Sequence, residues 1–259
     1  MPESIVLEGE QSDSSREMAL MIAHDLRSPL TGISACFELL QTGFFGELNE
    51  RGMSTVSRLQ NVTARLLSMV DDLLSLEQMN AGKLILQNKK TDFGFLCTSA
   101  IDSIATLADN AQIKIDVKNG GTEIVCDAGL IIRVCTNLIA NAIKYSPPKE
   151  TIELSLWAIG DYVEINIKDR GPGIPDSLSE NIFDPFVQGS CHDRSVYGGS
   201  GLGLHICKAI VEAHGGSIGV SQRPGGGSVF WFRLPNKGLP PLGSSSCCAD
   251  TQLRKNYLH

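Results

Sequence analysis

His24 opens the run His24-Asp25-Leu26-Arg27-Ser28-Pro29-Leu30 and is followed directly by a carboxylate. A neutral imidazole is a nucleophile. Asp25 can accept a hydrogen bond from its Nδ1, which fixes the tautomer and makes Nε2 the more basic, attacking atom. Pro29 lacks an N–H and its ring crowds the carbonyl of Asp25, so a helix carrying this run should kink one turn after the histidine. A proline inside a helix costs about 3 kcal/mol, an expensive ornament. Taken alone, a surface histidine on an interrupted helix is the plainer reading.

Further runs point to nucleotide chemistry. In Asn137 to Tyr145 (NLIANAIKY), Asn137, Asn141 and Lys144 or Tyr145 share one helix face. Amide oxygens there can hold Mg²⁺, a lysine one turn on can meet phosphate oxygens, and Tyr145 can flank a base. In Asp169 to Pro175 (DRGPGIP), a carboxylate at a strand end can accept the exocyclic amine of adenine, and Gly171 and Gly173 let backbone approach the ring. In Gly198 to Leu204 (GGSGLGL), glycines before a helix leave N–H groups and a positive dipole end for phosphate. No strand precedes that run, which argues against a dinucleotide fold. In Ile182 to Gly189, Phe183 and Phe186 can seat a lid. Each run has a plainer alternative: a solvated helix face, a Gly-Pro turn, or core phenylalanines.

The elements that must position these groups follow from periodicity. Ile22, Leu26, Leu30, Ile33, Phe37 and Leu40 make a helical stripe that leaves His24 off the stripe and facing outward. Val56, Leu59, Val62, Leu66, Val70 and Leu73 make a second stripe, with Gly43, Gly46 and Asn49 punctuating the connection. Two helices of roughly 45 Å in a lone hairpin would leave much of that apolar surface in water, so two chains are expected to form a four-helix bundle. A connector with Leu84, Ile85 and Leu86 follows. Then come a helix over 92–110, alternation at Ile113, Ile115 and Val117, a helix from an N-cap at Asp127 to Tyr145, and a hairpin of Ile152–Leu156 with Val163–Ile167. A long Gly-, Pro- and Ser-containing loop over 170–202 precedes a helix at 203–214 and a last strand at Val229–Leu234.

The chain has 259 residues, 42% of them apolar, and a formal charge of -7 from 29 acidic and 22 basic residues. That charge, with no basic run longer than Lys89-Lys90, argues against nucleic acid or an anionic membrane as main partner. The eight cysteines are scattered, apart from Cys247-Cys248 in a Ser-rich tail, and read as reduced thiols. No apolar run is long enough to span a bilayer. The expected fold class is α+β, in five parts. These are an N-terminal tail (1–11), an antiparallel helical hairpin (12–82), a connector that bends as a hinge (83–91), an α/β two-layer sandwich (92–236) and a disordered tail (237–259).

His24 to Leu30, Asn137 to Tyr145, Asp169 to Pro175, Phe183 to Phe186 and Gly199 to Gly203, in that order, resemble the conserved boxes of sensor histidine kinases over about residues 12–235. The resemblance implies a dimerisation and histidine phosphotransfer hairpin joined to a Bergerat (GHKL) ATP-binding domain. It implies His24 as phosphoacceptor and Asp25 as its activating carboxylate. Asn141 would be the Mg²⁺ ligand, with Asn137 and Lys144 as phosphate contacts and Asp169 as the adenine reader. Tyr145, Gly171, Gly173, Ile174, Phe183, Gly199, Gly201, Leu202 and Gly203 would complete the ATP site. ATP and Mg²⁺ are the implied cofactors. The implied partners are a second copy of the chain and the receiver domain of a separate response regulator. Ser28 stands where the family often has Thr or Asn, at a position implied to orient water for dephosphorylating that regulator; serine keeps a hydroxyl. The implied location is the cytoplasm, either as a protein whose signal comes from a partner or as the cytosolic part of a longer membrane-anchored sensor. A plain ATPase of the same fold and a nucleotide-binding scaffold are the rival readings.

Overall fold

The computed structural model describes residues 4–80, 85–118, 122–187 and 201–236. Helix α1 (Ser4–Gln41) and helix α2 (Glu50–Asn80) form the expected hairpin. The segment to residue 11, read from sequence as a tail, is helical from Ser4 onward, because helix formers such as Leu7, Glu8 and Glu10 extend a helix beyond its apolar stripe. Gly43 and Gly46 turn the chain at φ 75° and 111°, and Asn49 Oδ1 accepts the Gly52 N–H at 2.8 Å to start α2. The helices run antiparallel, tied by Gln41 Nε2 to Ser57 Oγ (3.2 Å) near the turn and by Arg27 Nε to Asp71 Oδ1 (3.0 Å) far from it. In the single chain Leu26, Ile33, Leu59, Val62 and Leu66 remain exposed, so pairing two helices does not exhaust the stripes.

The second part opens with strand β1 (Lys89–Asp92), whose Asp92 caps helix α3 (Phe93–Ser103) by accepting from Phe95 N at 2.9 Å. Helix α4 (Ala105–Ala111), strand β2 (Lys114–Lys118), strand β3 (Glu123–Cys126) and helix α5 (Ala128–Tyr145) follow. Strands β4 (Thr151–Ile159) and β5 (Tyr162–Lys168) form the expected hairpin. After the short helix α6 (Asp176–Ser179) come helix α7 (Gly203–Ala213) and strands β6 (Ser217–Gln222) and β7 (Ser228–Pro235).

The main sheet has order β2-β4-β5-β7-β6, with β2 parallel to β4 and the other pairs antiparallel. One face buries Ile152, Leu154 and Leu156, Val163, Ile165 and Ile167, and Phe230, Phe232 and Leu234. Against it lie Leu96 and Ala100 of α3, Val134, Leu138 and Ile139 of α5, and Ile206 and Ile210 of α7. The opposite face is polar, with Arg233 Nε donating to Glu164 at 2.9 Å. This is a two-layer α/β sandwich.

Three departures from the sequence reading have local causes. The connector expected over 83–91 ends inside β1, because Lys89, Lys90 and Thr91 pair antiparallel with β3, a four-residue strand too short to register as alternation. The helix expected over 92–110 breaks at Ile104, beside Ser103, whose hydroxyl donates to Ala100 O at 2.7 Å and competes with the helical ladder. Strand β6 is masked in sequence by Gly219, which lies under the Trp231 ring; a Cβ there would sit 2.3 Å from it. The tail over 237–259 and the loop residues 188–200 lie outside the described residues.

Cys97, Cys126, Cys135 and Cys207 are free thiols in the core, where burial pushes the pKa of Cys97, Cys126 and Cys207 up to about 12 and that of Cys135 up as well. Such thiols pack as apolar groups and do not react.

The turn between β6 and β7 folds back on the end of β5. Gly227 has φ 100°, and a Cβ on it would lie 2.2 Å from Asp169 O. Gly227→Ala should therefore lower unfolding free energy by at least about 2 kcal/mol in a denaturant melt; a variant as stable as the parent contradicts this packing.

Candidate functional site

Helix α5 is built from its cap upward. Asp127 Oδ1 accepts from Leu130 N (3.3 Å) and its Oδ2 from Gln87 N (2.9 Å), while its own N–H donates to His214 Nε2 (3.1 Å). His214 Nδ1 lies 2.8 Å from Ile210 O, so the neutral tautomer with its proton on Nδ1 satisfies both contacts. One side of α5 is buried through Ile131, Val134, Cys135, Leu138, Ile139 and Ala142. Asn137, Asn141 and Lys144 stand half-buried on another side, and Tyr145 is exposed with Lys144 Nζ 4.9 Å from its ring centre. Asn137 Nδ2 donates to Gly203 O at 3.4 Å, which sets the first turn of α7 beside the asparagine row.

Asp169 is buried at the end of β5, 3% exposed. Its Oδ1 accepts the N–H groups of Gly171 (2.8 Å) and Ser228 (3.0 Å), and Arg223 donates to its backbone carbonyl at 3.1 Å. The two N–H groups orient the carboxylate. A Cβ on Gly171 would meet Tyr145 O at 2.9 Å, so glycine lets the loop pass close to the C-terminal end of α5. Gly173 has φ 80°, and Ile174 is half-buried with its carbonyl accepting from Gln222 Nε2 at 3.0 Å.

Phe183 and Leu202 are buried in the core, and the Phe183 carbonyl lies 3.0 Å from His205 Nδ1. Gly201, at φ 75°, accepts the N–H of Phe186 at 3.0 Å, and a Cβ on it would lie 2.8 Å from Phe186 Cα. The two flanks of the long loop therefore touch where glycine permits it. Gly199 lies outside the described residues. The structure thus brings the first turn of α7, at Gly203, to Asn137 near the middle of α5, and Gly171 with Asp169 to Tyr145 at its C-terminal end.

His24 lies in α1, but its side chain is outside the described residues, so the outward orientation expected from the stripe has no counterpart here. Its neighbour Ala23 is buried, while Asp25 and Ser28 are exposed. Pro29 sits inside the helix, where it removes one rung of the hydrogen-bond ladder.

Sequence reasoning missed Ser228, Arg223 and Gly227, which reach Asp169 from the far end of the chain, and His214, which holds the α5 cap. No local spacing announces these contacts. Arg133 was open to detection because it precedes Asn137 by one turn on the same helix.

Asn141 offers one half-buried amide oxygen, and the described residues hold no cluster of His, Cys, Asp or Glu suited to a metal. That donor set fits Mg²⁺, which keeps most of its waters and takes substrate phosphate oxygens in place of a protein cage.

The chain matches the His Kinase A (phospho-acceptor) domain family over residues 14–82. It matches the histidine kinase-, DNA gyrase B- and HSP90-like ATPase family over residues 126–238. The circadian input-output histidine kinase CikA of Synechococcus elongatus is 32% identical over 227 residues, 86% of this chain and 30% of that protein. The adaptive-response sensory kinase SasA of Synechococcus sp. is 35% identical over 232 residues, 87% of this chain and 60% of that protein. Among solved structures, full-length ShkA in complex with AMPPNP superposes with a TM-score of 0.71 at 29% identity, covering 87% of this chain and 47% of that one. Histidine kinase AdeS of Acinetobacter baumannii superposes at 0.58 with 26% identity, covering 83% and 98%. The chain belongs to the two-component sensor histidine kinases. It spans 30% to 60% of the lengths of CikA and SasA.

Burial raises the Asp169 pKa; the Gly171 and Ser228 N–H groups and Arg223 oppose the rise without cancelling it. A carboxyl whose folded pKa is raised favours the fold in its protonated form, a contribution complete below the ordinary value and lost as pH climbs through the raised one. Asp169→Asn removes that loss. The difference in Tm, variant minus parent, should therefore become more positive as pH rises above the ordinary carboxylate value of about 4, as differential scanning calorimetry would record; a difference flat with pH contradicts the burial argument.

Proposed function

We propose that this chain is an ATP-dependent protein histidine kinase that phosphorylates His24 and hands the phosphoryl group to an aspartate on the receiver domain of a response regulator. The observation that carries this reading is the pairing of Asn137 with Gly203 at 3.4 Å, which joins an amide-bearing helix face to a glycine-opened helix N-terminus in one chain with the His24 helix. Amide and backbone donors meeting a helix N-terminus make a phosphate site. In this reading the hairpin of 12–82 carries the acceptor, the sandwich of 92–236 carries the nucleotide, and the connector bends in the stretch before β1.

Asp169 accepts the exocyclic amine of adenine, Gly171, Gly173 and Ile174 lie along the base, and Tyr145 flanks it. Asn137 and Lys144 contact phosphate oxygens, and the α7 N-terminus with Gly201 and Gly203 lies beside them. Asn141 would hold Mg²⁺, whose chemistry there is to offset phosphate charge. His24 Nε2 donates its lone pair to the γ-phosphorus in line with the β–γ bridging oxygen; the N–P bond forms, the P–O bond breaks, and ADP leaves with the electron pair. Asp25 takes the proton from Nδ1, so the phosphoimidazole is left without a surplus positive charge.

The exposed Leu26, Ile33, Leu59 and Leu66 support a second copy of the chain as the bundle partner. Ser28 is exposed on the His24 helix, where its hydroxyl can orient water for the reverse reaction. ATP as substrate and reactive-free core thiols fit the cytoplasm, and no described helix is long and apolar enough to cross a membrane.

Incubation with γ-labelled ATP and Mg²⁺ tests the reading. The expected result is a label that acid removes and base does not, and that His24→Gln abolishes. Label retained in His24→Gln would favour a different acceptor, and an unlabelled parent chain would refute the kinase assignment.

A further inference from the structure

Asp72 of α2 and Arg133 of α5 form an ion pair between the hairpin and the sandwich, with Arg133 Nη2 2.7 Å from Asp72 Oδ1. Asp72 is only 9% exposed, which is unusual for an acid on an outward helix of a hairpin. Burial raises its pKa and Arg133 pulls it back, so the carboxylate depends on that guanidinium.

The position of the pair along each helix gives it meaning. On the hairpin, the adjacent Asp71 pairs with Arg27, three residues after His24, so Asp72 stands level with the turn that carries His24. On the sandwich, the two ends of the nucleotide cleft are distinguishable. Gly171 and Asp169 lie against the C-terminal end of α5 at Tyr145, which makes that the base end. Asn137 and Gly203 meet toward the other end, which makes that the phosphate end. Arg133 lies one turn beyond Asn137, roughly 18 Å from Tyr145 along the axis. The contact is thus made by the phosphate side of the cleft. Two further observations agree: α2 also packs on α7, and Gln87 in the connector donates to the α5 cap at Asp127.

We propose that Asp72 is a positioning residue for phosphoryl transfer: through Arg133 it docks the phosphate end of the nucleotide cleft on the hairpin at the level of His24. This rests on the kinase reading above and adds to it the residue that sets the approach of donor to acceptor. The role assigned to both side chains is to set the approach of the two parts, not to take part in bond making. Loss of the pair leaves nucleotide binding intact and lowers the fraction of bound nucleotide that meets the imidazole, because transfer rates fall steeply with misplacement.

The test is the autophosphorylation rate of the full chain over a range of ATP concentrations. Asp72→Asn and Arg133→Gln should each reduce kcat roughly ten-fold with KM for ATP unchanged. In the double variant the losses should not multiply. The exchanged pair, Asp72→Arg with Arg133→Asp, should recover most of the rate, and a thermal melt of each variant separates docking from misfolding. Rates within two-fold of the parent, an increase in rate, losses that multiply, or an exchanged pair no faster than the single variants would overturn the proposal. A labelled parent with unaffected variants sinks this inference alone, whereas an unlabelled parent sinks the kinase reading and this inference with it.

Discussion

Burying one carboxylate organises the catalytic half of this molecule. Asp169 ends β5 almost out of contact with water, and an isolated carboxylate in that position would be costly. The Gly171 N–H of the following loop and the Ser228 N–H from the start of β7 donate to it, while Arg223 of the β6–β7 turn donates to the Asp169 backbone carbonyl and adds positive charge nearby. For these donors to converge, the turn must come so close to Asp169 that position 227 tolerates only glycine, and the loop must come so close to Tyr145 that position 171 does too. The pairing of β5 with β7 brings these segments together, and the buried carboxylate is satisfied where they meet.

The same convergence sets two groups of residues apart along α5. Tyr145, Gly171 and Asp169 gather at the C-terminal end of α5, while Asn137 holds the first turn of α7 near its middle. Helix α5 can serve both ends because one side is committed to the core, leaving Asn137, Asn141 and Lys144 on a side the sheet does not cover. With the proposed base contact at one end of a rigid helix and the proposed phosphate contacts near its middle, a nucleotide spanning them would have one direction. That direction gives the Asp72 and Arg133 contact its significance.

The hairpin, α5, the β4–β5 hairpin, α7 and β7 were legible in the sequence because each has either long helical periodicity or clean alternation. Strands β1 and β3 were not, since four residues carry too little pattern and their pairing is set by partners more than 30 residues away. The residues of the site were legible in type, as amides, glycines and a carboxylate in a telling order. Their support was not: Ser228, Arg223 and His214 reach the site across 59, 54 and 87 positions of chain. Asp72 reads locally as one acid among several on α2, and only the docked sandwich shows what it faces.

In the proposed site Asp169 would select adenine by accepting its exocyclic amine, which would orient the rest of the nucleotide toward α7 and the hairpin. Guanine presents a carbonyl oxygen at the corresponding ring position, and a carboxylate repels it. Calorimetric titration of the chain with ATP and with GTP, each with Mg²⁺ at neutral pH, tests this directly. ATP should bind and GTP should not measurably bind; equal affinity for the two, or no affinity for ATP, would rule out that role for Asp169.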